Sequence, residues 1–226
     1  MTIADNLAAI RERIAVAARR AGRDPALVRL VVVTKGVGPP EAAECLSAGA
    51  LRLGENRVQE WLAKRAALPA GVKWHLIGTL QLNKVRYLDA TVHLIHSLDR
   101  LELARALDAH FRKKGLTGRV LVQVNVSGEK TKHGVAPADL EPFLRQVAAL
   151  PGLAVQGLMT MAPAGSPRAA RAVFRSLREM AGSLEIPGVS LTTLSMGMSD
   201  DFETAVEEGA NLLRIGRAVF ASAPTE

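Results

Sequence analysis

The chain has 226 residues, 48% hydrophobic and only 4% aromatic, with a net charge of +7. That length and apolar content suit one sizeable core, and so few rings argue against a surface that stacks nucleobases. The basic residues are scattered along helical stretches, with Lys64-Arg65 and Lys113-Lys114 the densest pairs; they read as solvated helix faces rather than a nucleic-acid patch, in a positive field that favours a small phosphorylated ligand.

A single cysteine, Cys45, excludes an internal disulfide. The amino terminus lacks a basic-then-apolar leader pattern, and no apolar run approaches membrane-spanning length. The expectation is a cytoplasmic monomer with no membrane or nucleic-acid partner.

Ile3, Leu7, Ile10 and Ile14 recur at helical spacing, and Gly22 and Asp24-Pro25 stop that amphipathic helix. Leu30 to Val33 is a short aliphatic strand. Strands and helices then alternate. Helices are expected over 39–48, 55–67, 79–88, 137–150, 167–184 and 200–208, with another running to Lys114 from a cap at Ser97 or Asp99 and a last one starting at 218–221. Strands are expected over 51–54, 73–78, 91–96, 119–126, 153–158, 189–194 and 212–215. About eight strand–helix units without a linker imply parallel pairing, and in this length a closed (β/α)8 TIM-type barrel with an extra N-terminal helix. An open doubly wound sheet is the competing fold, but no Gly-x-Gly-x-x-Gly follows the first strand.

In such a barrel the residues at the strand carboxyl ends face one mouth. Lys35 ends the first strand and Asn56 follows the second. Lys35 is either a solvated cap or a Schiff-base amine. The exits of strands seven and eight, Ser195 to Asp201 and Gly216-Arg217, correspond to the recurring phosphate cradle of these barrels. Ser195 and Gly216 are the phosphate candidates, while Ser199 through Glu203 read as a helix start. Arg214, inside an aliphatic strand, needs a partner: a salt bridge at the mouth, or a ligand ring nitrogen or carboxylate. His75 and Trp74 read as core, and the histidines show no metal-ligand spacing.

These residues fall in motifs that resemble the pyridoxal phosphate homeostasis proteins, single-domain relatives of the alanine racemase barrel. The resemblance runs nearly end to end, through Val33-Thr34-Lys35, Gly54 to Glu60, Trp74 to Lys84, His96 to Asp99, Val124 to Glu129 with Lys132-His133-Gly134, Gly157-Leu158-Met159, Leu194 to Asp201 and Arg214-Ile215-Gly216. It implies one domain over 1–226 that holds pyridoxal 5′-phosphate as an aldimine on Lys35. It also implies phosphate contacts from Ser195 and the backbone of Gly216 and Arg217, Arg214 at the pyridine nitrogen, and Asn56 near the cofactor. Its implied role is to buffer the cofactor and deliver it to apo-enzymes that need it, without classical catalysis, with Lys132 as a candidate second amine. An amino-acid racemase is the alternative. It would need an opposing tyrosine, which in the racemases comes from a second domain, and this chain's single tyrosine, Tyr87, falls in an expected helix. A third reading keeps Lys35 as an electrostatic clamp in a phosphate-binding barrel enzyme. Two departures stand out: Arg217 replaces a small hydroxyl residue, and Phe220 to Pro224 lacks a Gly-x-Arg ending.

Overall fold

The computed structural model describes residues 2–129 and 131–221. Its centre is a closed parallel barrel whose strands follow chain order: β1 (Arg29–Val33), β2 (Arg52–Glu55), β3 (Lys73–Leu76), β4 (Val92–Leu98), β5 (Gly118–Gln123), β6 (Leu153–Met159), β7 (Thr193–Ser195) and β8 (Leu212–Ile215). Closure comes from β1 against β8, with Leu30 opposite Leu213 and Val32 opposite Ile215. This is the expected (β/α)8 architecture.

Side-chain alternation separates two cores. Leu30, Val32, Leu53, Leu76, Ile95, Val120, Leu158 and Leu213 point outward against the helices. Val31, Leu94, Leu121, Met159 and Leu212 fill the barrel interior. The helices that cover the outside are α1 (Ile3–Arg20), α2 (Pro39–Ser47), α3 (Val58–Ala67), α4 (Leu101–Lys113), α5 (Leu140–Ala148), α6 (Pro167–Ser183), α7 (Phe202–Glu207) and α8 (Arg217–Phe220). None is long and apolar enough to cross a membrane. Helix α1 starts with a capping box, Thr2 Oγ1 accepting from Asp5 N–H and Asp5 accepting from Thr2 N–H. It buries Leu7, Ile10 and Ile14, each worth about 1.5–3 kcal/mol.

Four expectations need correction. Residues 79–88 hold only a 3-10 turn, Leu82–Tyr87, whose start no side chain caps. The seventh strand is short: Val189 N–H closes a turn on Ile186 O, Ser190 N–H makes a single bond to Val155 O of β6, and regular pairing begins only at Thr193. Neither Ser97 nor Asp99 caps α4: Ser97 lies within β4, its hydroxyl donating to Gly78 O, and Asp99 pairs with Arg100. Ser199 does not cap α7; its oxygen accepts from Ala218 N–H in the first turn of α8.

Close contact between β6 and β7 depends on Gly157. Its φ is +154°, and a Cβ there would lie 1.8 Å from Thr193 O.

Candidate functional site

A cavity of about 360 Å³ opens at the carboxyl ends of the strands. Lys35, Asn56, Arg214, Gly216 and Arg217 line it, joined by Gln123, Met161, Met198 and Ser199. Five of the six residues singled out from the sequence thus meet in one place, although they arrive from three strand exits.

Lys35 follows the fully buried Thr34 and is itself exposed. Among the described residues its ammonium has no ion-pair partner. A buried ion pair fixes the backbone just before it. Lys64 Nζ donates to Glu55 Oε1 and to Thr34 O, both at 2.6 Å, and Thr34 Oγ1 donates to the same Glu55 oxygen. Burial pushes Glu55 above the ordinary carboxylate range, and the Lys64 and Thr34 bonds pull it back.

Arg214 is 4% exposed. Burial lowers it to about 10, with Asp201 acting the other way, so it remains a cation at neutral pH. One guanidinium nitrogen donates to Ser195 Oγ at 2.6 Å and another to Thr160 O at 3.0 Å. A guanidinium has five N–H donors, so the side chain keeps donors for a ligand in the cavity it lines.

Ser195 does not take the place expected for a phosphate contact. It is fully buried, does not border the cavity, and sits behind Arg214, where its hydroxyl also meets His96 Nδ1 at 2.9 Å. Ser195 on β7 is reached by the Arg214 guanidinium from the neighbouring β8, so its hydroxyl meets Arg214 rather than the cavity. Four residues on, past Gly197 at φ +94°, Ser199 reaches the cavity beside α8. Reading Ser199 as part of a helix start hid it.

At the rim, Gly216 lies tight on β1: a Cβ there would stand 3.0 Å from Val33 O. Arg217 extends outward and pairs with Asp200, both well exposed, so that pair contributes little. Asn56 backbone packs on Gly78, where a Cβ would come within 2.5 Å of Asn56 O. Lys132 pairs with Glu129 at 2.6 Å. The departure at 220–224 lies largely outside the described residues.

His75 and Trp74 are buried as expected. His96 is buried with them, and His75 Nδ1 lies 2.8 Å from His96 Nε2. Desolvation holds both imidazoles well below their usual pKa and so neutral. No group of three or more metal-ligating side chains occurs among the described residues.

Residues 6–224 match the alanine racemase N-terminal domain family. A pyridoxal phosphate homeostasis protein of Aquifex aeolicus is 44% identical over 223 residues, covering 97% of this chain and 98% of its own. The chain belongs to the pyridoxal phosphate homeostasis family. A family member from Escherichia coli K12 is 37% identical over 227 residues, covering 97% and 96% of the two chains. The solved structure of PipY from Synechococcus elongatus PCC7942, with pyridoxal phosphate bound, superposes with a TM-score of 0.84 at 36% identity, covering 97% of this chain and all of that one. Alanine racemase from Corynebacterium glutamicum shares the fold at a TM-score of 0.69 and 19% identity, this chain matching 62% of it.

Proposed function

We propose that this chain binds pyridoxal 5′-phosphate in the mouth cavity on Lys35, buffers it in the cytoplasm, and passes it to apo-enzymes that require it. The observation that carries the reading is the convergence of an exposed Lys35, without an ion-pair partner among the described residues, and a buried Arg214 on one cavity with Gly216 and Ser199 at its rim. These residues fit the cofactor's parts: an amine for its aldehyde, a fixed cation for its ring, and a hydroxyl with tight glycine backbone for its phosphate. When bound, the cofactor supplies an aldehyde that exchanges between amines.

Arg214 sets the character of the site. A guanidinium only donates, so a ring nitrogen that accepts from it carries no proton and draws electrons less strongly. Ser195 and Thr160 O hold the guanidinium in place. Ser199, rather than Ser195, is assigned the side-chain phosphate contact, with Gly216 and Arg217 supplying backbone N–H groups and Asn56 flanking the cofactor. Lys132 serves as a second amine only once its exposed pair with Glu129 opens.

The racemase alternative needs a second base at the cavity. The chain's one tyrosine, Tyr87, instead accepts from Arg86 in the 3-10 turn and does not line the cavity. The proposed role is therefore that of a carrier without turnover.

The test is the absorbance of the purified protein with added pyridoxal phosphate, wild type beside Lys35→Ala. An aldimine-region band in the wild type alone is the expected result; no band in either, or equal bands in both, overturns the reading. Loss of an amino acid's α-deuteron faster than with free cofactor would replace the carrier with a catalyst.

A further inference from the structure

The opposite end of the barrel carries a group of charges that the cofactor reading does not use. Arg29, Arg52 and Lys73 are the first residues of β1, β2 and β3, and His93 and Arg119 are the second residues of β4 and β5. Arg29 and Arg52 are in line with the inward-facing Val31 and Gly54, Lys73 with His75, and Arg119 with Leu121. A register irregularity between β3 and β4 lies at His93 and brings its ring to 5.3 Å from that of His75. The positive charges of Arg119, Lys73, Arg52 and Arg29 all act on His93, which burial and those charges hold at about 4.

None of these four cations has an ion-pair partner among the described residues. Arg29 makes a long 3.5 Å contact to Thr193 Oγ1, Arg119 a 3.4 Å contact to His93, and the Nε of Arg52 is buried without a partner. The grooves that flank Arg29 on either side have no carboxylate in their linings. Elsewhere on this protein arginines find acids: Arg171 and Arg175 both reach Glu208, and Arg13 reaches Glu203.

A second observation points into the same place. The polar file behind the cofactor arginine has a direction, because Arg214 only donates. Its N–H goes to Ser195 Oγ, and His96 Nδ1 is the one further partner among the described residues to which the serine O–H can donate. His96 then carries its proton on Nε2 and donates to His75 Nδ1. That leaves His75 with its proton on Nε2, a nitrogen that is buried and has no partner. The reverse arrangement would strand both the serine hydroxyl and His75 Nε2 and is disfavoured. His75 is 1% exposed. Its Nε2 lies on the ring edge away from His96, and the charges of Arg52, Arg29 and Lys73 bear on the ring. A buried N–H donor on which three cations bear, with Arg119 beside the neighbouring His93, requires an acceptor.

We propose that the barrel floor is a binding site for a small tetrahedral oxyanion, a phosphate or phosphate monoester, held by Arg29, Arg52, Lys73 and Arg119 with His75 Nε2–H at its inner end. Cations approaching from four strands suit an anion with oxygens in every direction better than a planar carboxylate. The site is independent of the mouth and stands whether or not the cofactor reading holds.

The experiment is a calorimetric titration of the full chain with inorganic phosphate, and separately with glycerol 3-phosphate, in wild type, Lys73→Gln, Arg119→Gln, Arg105→Gln and Ser199→Ala/Arg217→Ala. Lys73 and Arg119 are exposed, so their variants should fold; Arg105→Gln on the exposed face of α4 makes the same change in net charge. Saturable binding, weakened about three- to tenfold by each floor variant and unchanged in Arg105→Gln, is the expected result. Binding of the ester as well as the free ion assigns a monoester; binding of the free ion alone assigns inorganic phosphate. No saturable binding of either overturns the proposal. So does equal weakening in Arg105→Gln, or a loss confined to the Ser199→Ala/Arg217→Ala mouth variant.

Discussion

Replacing Lys64 with methionine should show how firmly the barrel holds the backbone just before Lys35. The side chains of Lys64 and Glu55 are 5% and 0% exposed. The substitution keeps a chain of similar length but leaves Glu55 with Thr34 Oγ1 as its remaining donor. Stranding one member of a buried pair costs about 3–5 kcal/mol. For a chain of this size about 1 kcal/mol shifts the melting temperature by roughly 2–4 °C, so a fall of roughly 6–20 °C is expected. The pH dependence carries a definite sign. Burial already raises Glu55, and Lys64 is the largest opposing influence. Without it the folded-state pKa rises further, and the folded protein takes up a proton at pH values where the unfolded chain does not. Stability of the variant therefore falls as pH rises through that window, and its deficit against wild type is full above the raised pKa and shrinks below it. Urea unfolding at about pH 8 and about pH 5.5 reads both quantities. A deficit under about 1 kcal/mol, as for a surface pair, or one that does not change with pH, refutes the reasoning. Glu55→Gln/Lys64→Met should recover much of the loss, because no charge is then left buried.

Ser195→Ala should cost about 1–3 kcal/mol of stability by removing the acceptor of Arg214, yet leave the preference for phosphorylated over unphosphorylated vitamers unchanged in a binding titration. Ser199→Ala should do the reverse, weakening pyridoxal phosphate more than pyridoxal; equal weakening of the two would remove its phosphate role. Arg217→Ala is expected to weaken pyridoxal phosphate selectively through loss of positive field, and a preference identical to wild type would leave the arginine with only its Asp200 pair. Gly157→Ala combines a strained φ with a clash against Thr193 O and should cost about 2–6 kcal/mol, seen as lost soluble yield or a lower melting temperature.

The fold and the place of Lys35 at the barrel mouth were legible because each rests on local pattern. Four aliphatic residues in a row before Lys35 specify a buried strand, and the lysine's place follows from where such a strand ends. Arg214 was legible as an anomaly, a permanent cation in an aliphatic strand. What failed depended on partners distant in sequence. Nothing near Ser195 indicates that Arg214 and His96 occupy its hydroxyl, since His96 lies 99 residues away. The stretch 189–194 has strand composition, but after the turn at Ile186 it makes one bond to β6, from Ser190, and pairs regularly only from Thr193. The ring of cations on the floor was likewise invisible as a group, because Arg29, Arg52, Lys73 and Arg119 are spread over four strands and only closure gathers them.

Helix α1 packs on α7 and α8, and Asn6 donates to the carbonyls of Val219 and Ala221, contacts that span more than 200 residues. The pairing of β1 with β8 reaches nearly as far, Arg29 lying opposite Leu212. On the ribosome the first helix and first strand are therefore made long before the segments that satisfy them. At about 5–20 residues per second the wait is roughly 10–45 s. During that interval the apolar face of α1 and the open edge of β1 are exposed to whatever else is in solution. Nascent chains should be protease-sensitive and chaperone-dependent until the last strand emerges, and trimming back into α8 should release the amino-terminal helix at the other end of the sequence.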